Sequence, residues 1–227
     1  LSFKQVITFN LDEYYPMPQS RLQSYVRFMN EHFFDHIDIP KENINIPDGT
    51  LPLEEVPAFC KAYEKKIEEV GGLDIQLLGI GKTGHIGFNE PGSPMDSRTR
   101  LITLDHITRV DAASDFFGEE NVPKRAITMG IGTIFKARRI FLMAWGEGKA
   151  GIIRKSVEQD LTEHVPASYL QKHPGTVFVL DQGAAGDLTR QKTPWLVGPC
   201  KWEDKMIRKA VVWLCQKVNK PILKLTD

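Results

Sequence analysis

The sequence has no surplus of one charge. Its 227 residues carry 29 lysines and arginines against 29 aspartates and glutamates. A balanced surface gives no electrostatic grip on nucleic acid or on an anionic membrane, so neither is expected as a partner. Cysteine is scarce as well: Cys60, Cys200 and Cys215 are odd in number and far apart. That argues against a disulfide framework and for a reducing, cytoplasmic setting. The absence of a CxxC pair removes a thiolate zinc site. No apolar run approaches the roughly 18 residues of a membrane span. The opening LSFKQVITFN lacks the basic head and apolar stretch of a signal peptide. Repeats and low-complexity tracts are missing, which sets aside solenoids and disordered tails.

What is present is a globular composition, 41% hydrophobic and 26% charged. The length suits one large domain, or a domain with an appendage, able to bury a core without staples. Short apolar runs predict strands at Val6–Phe9, Leu73–Leu78, Arg100–Leu104, Ala126–Met129, Arg139–Trp145 and Thr176–Leu180. Apolar residues at helical spacing predict helices over Ser20–Phe34, Leu53–Val70, Ala150–Glu158 and Glu203–Val218. Pro40–Leu53, rich in Pro, Asn, Asp and Gly, reads as loop. This alternation predicts an α/β fold: a doubly wound, mostly parallel sheet with helices on both faces. Ligands in such folds sit beyond the carboxyl ends of the strands. The chain opens inside a strand and closes on an apolar segment, so it reads as part of something longer. Residues 1–193 are expected to form one domain. Residues 194–227 are expected to close it or to lead into a further domain.

Chemistry concentrates after the strands. Gly79-x-Gly81-x-x-Gly84 matches a dinucleotide fingerprint in letters, but Gly87 and Pro91 follow where that motif needs a helix. Gly81-Lys82-Thr83 imitates the end of a P-loop, yet Gln76 stands where its first glycine belongs. His85 and Glu90 make a better pair: an imidazole can move protons near neutral pH, and a carboxylate can stabilise its charged form. Taken alone, they also fit a turn with one solvated histidine. Asp12 beside Glu13 at a strand end can do acid–base work, since like charges raise a carboxyl pKa, or can simply favour a helix start. Lys149 follows a Gly-Glu-Gly turn at a helix start, a setting suited to phosphate but equally to an exposed lysine. His32 and His36 stand four apart on a helix, but HFFDH lacks the glutamate of a metalloprotease helix.

Six segments in order resemble one family. They are FNLDEY at Phe9–Tyr14, GIGKTGHIGFNEP at Gly79–Pro91, SRTR at Ser97–Arg100, MGIGTI at Met129–Ile134, GEGKA at Gly146–Ala150 and PASYLQKHP at Pro166–Pro174. Together they resemble the glucosamine-6-phosphate deaminases, from about Phe3 to Asp181. The resemblance implies a Rossmann-like deaminase/isomerase fold and a hydrolase that turns an amino-sugar phosphate into a ketose phosphate and ammonia. It implies that Asp12 shuttles the proton between C2 and C1, and that His85 promotes ring opening with support from Glu90. Lys149 would bind phosphate, and the turn of Gly79, Gly81, Thr83 and Gly84 would approach the sugar. No metal or cofactor is implied, because the substrate's own carbonyl and amine supply the electron sink and leaving group. A homo-oligomer is implied. Ser93 and Arg100 match an allosteric effector site, in which Ile102 replaces a lysine. Thr83 stands where the family has aspartate, and Asp115 where it has a phosphate-gripping arginine. The family's glycine-rich phosphate loop would lie upstream of the first strand. The competing readings are a divergent sugar-phosphate isomerase, a sensing or scaffold domain that has lost the chemistry, and a related lactonase.

Overall fold

The computed structural model describes residues 1–225. Its strands fall into three short sheets. The apolar runs supply the parallel ones. β1 (Thr8–Phe9) pairs with β3 (Ile44–Asn45). β4 (Ile75–Leu78), β7 (Arg139–Ala144) and β8 (Thr176–Leu180) pair in that order. The third sheet is antiparallel and joins β2 (Asp12–Tyr15), β6 (Arg125–Thr128) and β5 (Arg100–Thr103), with β6 central. The α/β plan with parallel strands is therefore present, and it carries an antiparallel sheet that the sequence pattern did not reveal. Ile44–Asn45 also lies inside a segment that reads as loop, since a two-residue strand leaves no alternation to detect.

Alternation along the strands places the core. Leu78, Ile140, Leu142 and Ala144 point to one face of the β4-β7-β8 sheet and are buried. That face is covered by α2 (Val56–Glu69), α4 (Ile131–Ile134), α5 (Ala150–Glu158) and a 3-10 stretch, Pro166–Lys172. Tyr63, Ile67, Ile134, Ile152, Ile153 and Leu170 meet it there. Each such buried aliphatic side chain stabilises the fold by about 1.5–3 kcal/mol. On the opposite face Ile75, Leu77, Met143, Val177 and Val179 are exposed.

Local chemistry sets the helix ends. α2 stops at Gly71-Gly72, both at φ +89°, where the Gly72 N–H closes on the Ile67 carbonyl at 2.9 Å. α1 (Tyr25–His32) starts where the Ser24 hydroxyl accepts from the Val26 N–H. α3 (His106–Ala112) starts where the Asp105 carboxylate accepts from the Ile107 N–H. Past β8 come α6 (Thr189–Lys192) and α7 (Asp204–Val218). No side chain of α7 is buried; Trp213 meets Trp195 edge-on, and Trp195 stacks on Trp202. Among the described residues no helix is long and apolar enough to cross a membrane.

Candidate active site

The antiparallel sheet builds one wall of the site. Asp12, Thr128 and Arg100 lie in register across β2, β6 and β5, so their side chains share a face. The loop after β4 is laced to that face. The Thr128 hydroxyl accepts from the Phe88 N–H at 3.1 Å and donates to the Met129 carbonyl at 3.1 Å. Asn89, fully buried, donates to the carbonyls of Ile86 and Met129 at 2.9 and 2.8 Å. Its side-chain oxygen accepts from the Arg100 guanidinium at 2.9 Å, and the same guanidinium donates to the Ser93 hydroxyl at 3.1 Å. A strand register thus brings the Asp12 wall and the His85–Glu90 loop together.

Asp12 is half-buried at the start of β2. Burial, and secondarily the neighbouring Glu13 charge, push its carboxyl up to about 7. Glu13 does not join it as a working pair. Strand alternation turns Glu13 to the other face, where it is fully buried and accepts from the Ser24 hydroxyl at 2.8 Å and the Tyr14 N–H at 2.9 Å. Burial raises the Glu13 pKa, and those hydrogen bonds pull it back. Its structural task is to hold the start of α1.

The segment Gly81–His85 closes a tight turn. The Gly81 N–H donates to the His85 carbonyl at 3.0 Å and the Gly84 N–H to the Gly81 carbonyl at 3.0 Å. The imidazole of His85 lies over Gly81, where a Cβ would fall inside the ring, so only glycine fits. Gly84 holds φ +83° against Val165, which again excludes a side chain. Gly79 has open space and no such constraint. Three groups converge on His85 Nδ1. The Thr83 hydroxyl lies at 3.1 Å, the Thr108 hydroxyl at 3.4 Å, and Glu90 Oε2 at 3.4 Å. The Glu90 contact is within ion-pair range but outside hydrogen-bond geometry, and Oε2 is a buried acceptor without a hydrogen-bond partner. A protonated imidazole would satisfy it. The other oxygen, Oε1, accepts from the Asp105 N–H at 3.2 Å. Thr83 therefore does contact the histidine, and Glu90 brings the negative charge.

Lys149 precedes α5 and reaches back to β4's carboxyl end, donating to the Ile80 carbonyl at 2.6 Å. Burial lowers its pKa. Ser93 and Arg100 are indeed adjacent, with Arg100 engaged by Asn89; burial lowers the guanidinium's pKa. The Asp115 side chain brings no cation to the site, and its carbonyl accepts from Gln23. His36 bonds the Glu31 carbonyl at 2.8 Å, and His32 packs on Phe28. Among the described residues no three His, Cys, Asp or Glu side chains converge to hold a metal.

Three contributors were not singled out in the sequence. Thr108 lies on a seven-residue helix too short to show periodicity. Asn89 sits inside the recognised loop, but its partner Arg100 is eleven residues away. Glu64 resembles a surface glutamate of α2, yet it is buried. It accepts from the Thr99 N–H at 2.7 Å, from the hydroxyls of Thr99 and Thr133, and from Arg98 at 2.6 Å. That anchors the Ser97–Arg100 segment. A large groove between α2 and β5, about 780 Å³, is lined by Val56, Cys60, Glu64 and Arg98 and by none of the acid–base groups. The acid–base groups therefore put the candidate site at the strand ends rather than in this groove.

Known proteins share this arrangement of segments. The sequence profile described as glucosamine-6-phosphate isomerases/6-phosphogluconolactonase matches residues 1–179. A putative glucosamine-6-phosphate deaminase-like protein of Bacteroides thetaiotaomicron is 49% identical over all 227 residues, and the chain spans 34% of its length. A glucosamine-6-phosphate deaminase of Shouchella clausii is 49% identical over 191 residues, covering 84% of this chain and 76% of that protein. A solved monomeric glucosamine-6-phosphate deaminase superposes with a TM-score of 0.79 at 43% identity, covering 82% of this chain and 77% of that one. The chain belongs to the glucosamine-6-phosphate isomerase/6-phosphogluconolactonase family.

Proposed function

We propose that this chain carries out the isomerisation and deamination of glucosamine 6-phosphate to a ketose phosphate and ammonia. The observation that carries the reading is the Asp12 carboxyl, raised to about 7 and laced through one strand register to the His85–Glu90 loop. A base with that proton affinity is poised to take and return a proton at neutral pH. His85 opens the sugar ring by taking the proton of the anomeric hydroxyl and returning it to the ring oxygen as its bond to C1 breaks, and the transient imidazolium is stabilised by Glu90. Asp12 then removes the C2 proton and delivers it to C1, while one amine proton passes to the C1 oxygen, which leaves a C1 alcohol and an imine at C2. Water adds to that carbon, the C–N bond breaks, and ammonia departs. Lys149 holds the phosphate. The three unpaired cysteines fit a reducing, cytoplasmic setting.

The test is ammonia release from glucosamine 6-phosphate by the full-length protein. Release above background is expected, and its abolition by Asp12→Asn with substrate binding kept. A wild-type protein that binds the sugar phosphate and releases no ammonia would refute the reading.

A further inference from the structure

The turn that carries His85 also carries a lysine with an unusual partner. Lys82 lies two residues after Ile80, whose carbonyl holds the Lys149 ammonium at 2.6 Å. The Lys82 ammonium is paired at 2.5 Å with Asp111 on α3. Asp111 also supports the charge of Lys149, and Lys82 opposes it, so all three groups lie within electrostatic reach of one another. One carboxylate thus pairs with the Lys82 ammonium and also acts on that of Lys149.

That pair is weak by construction. The Lys82 side chain is 65% exposed and that of Asp111 30%, and solvent-exposed pairs contribute about 0–1 kcal/mol. A phosphate dianion has more charge than a carboxylate and more acceptor oxygens, so it can bridge both ammoniums. Lys149 keeps two N–H groups beyond the one given to Ile80. The other nearby cation of α3, Arg109, is engaged by Glu119 at 3.2 Å. Asp115 supplies no cation, so a second positive group to join Lys149 on the phosphate has to come from elsewhere.

We propose that Lys82 and Lys149 form a two-lysine cradle for the substrate's phosphate, with Asp111 as an internal anion that the phosphate displaces. The proposal rests on the sugar-phosphate reading above. Its consequence is competition: removing Asp111 helps the phosphate, and removing Lys82 hurts it. α3 also holds Thr108 against His85 and donates the Asp105 N–H to Glu90 at 3.2 Å, so displacing Asp111 acts on the helix that lines the histidine.

The experiment is calorimetric titration of the full-length protein with inorganic phosphate, using Lys82→Ala, Lys82→Arg, Asp111→Asn and Lys149→Ala. The expected result is about ten-fold weaker binding for Lys82→Ala, near wild-type binding for Lys82→Arg, and several-fold tighter binding for Asp111→Asn. Lys82 is exposed, so these variants are expected to fold, and their melting curves check it. Binding unchanged within two-fold in both Lys82→Ala and Asp111→Asn overturns the cradle, whether or not Lys149→Ala matters. Ammonia release is scored separately. Release with no Lys82 dependence of phosphate binding overturns the cradle alone. The expected phosphate pattern without release overturns the activity alone.

Discussion

The proposed proton-handling end of the site and its proposed phosphate end are built by opposite means. At the first, the His85 and Glu90 side chains are only 16% and 12% exposed, and Asp12 lies among buried neighbours on a sheet. At the second, Lys82 stands largely in water and pairs with one carboxylate. Burial changes proton affinity, because desolvation penalises the charged form. Exposure leaves a charge near its ordinary strength, and its partner exchangeable, because water screens the pair. Chemistry needs the first property and reversible capture of a charged substrate needs the second.

The largest effect expected from this contrast is at Asp12. Asp12→Asn should lower the rate of ammonia release by about 10²–10⁴-fold, the usual worth of a general base. In the wild type the rate should rise as pH passes about 7, where Asp12 loses its proton. Stability should move the other way. The folded pKa lies above the ordinary aspartate value of 3.8, so the folded protein holds this proton more tightly than the unfolded chain. That stabilisation is present at low pH and is lost as pH rises from about 4 through about 7. Asp12→Asn should therefore be more stable than wild type at pH 8, by about 1–2 kcal/mol once partial exposure is allowed for. Urea unfolding at pH 5 and pH 8 checks it; a less stable variant at pH 8 would mean that burial is not what tunes Asp12.

A smaller effect is expected one layer away. Arg100→Met removes the donor to the buried Asn89 oxygen, which should reduce stability by about 1–3 kcal/mol. If the guanidinium positions the catalytic loop, kcat should fall more than KM changes. A variant with unaltered stability and kcat would detach Arg100 from the loop. The smallest effect is at Thr83. Its hydroxyl is one of three groups on His85 Nδ1, so Thr83→Val should slow turnover only a few-fold with KM unchanged. A loss approaching that of Asp12→Asn would show that the hydroxyl, not Glu90, holds the imidazole.

Much of this architecture is legible without coordinates. β7, β8 and α5 come directly from apolar patterning, because strands and helices that bury one face must repeat with their own period. β2 escapes that test. Asp-Glu-Tyr-Tyr shows no simple alternation of apolar and polar residues, and it becomes a strand because β6 pairs with it. α3 escapes for its brevity. In the candidate site, Asp12, His85, Glu90 and Lys149 stand out in the sequence as residue types in informative company. Glu64 and Thr108 were not, since their partners come from other elements: Thr99 and Thr133 for one, His85 for the other.

What the sequence determined by itself is the set of chemical groups and the order in which the chain presents them. Glycines at 81 and 84 permit a turn no other residue could make there. A carboxylate follows the first strand, and a histidine and a glutamate lie five residues apart in one loop. The tertiary structure alone decided which of two carboxylates is free for the proposed chemistry. Asp12 and Glu13 are adjacent in the chain and alike in chemistry, yet the pleat sends them to opposite faces. Glu13 is captured by Ser24 as a helix anchor, while Asp12 is left without such partners and pushed up to about 7. Desolvation and register are properties of neighbours brought from elsewhere in the chain, and no local pattern can hold them.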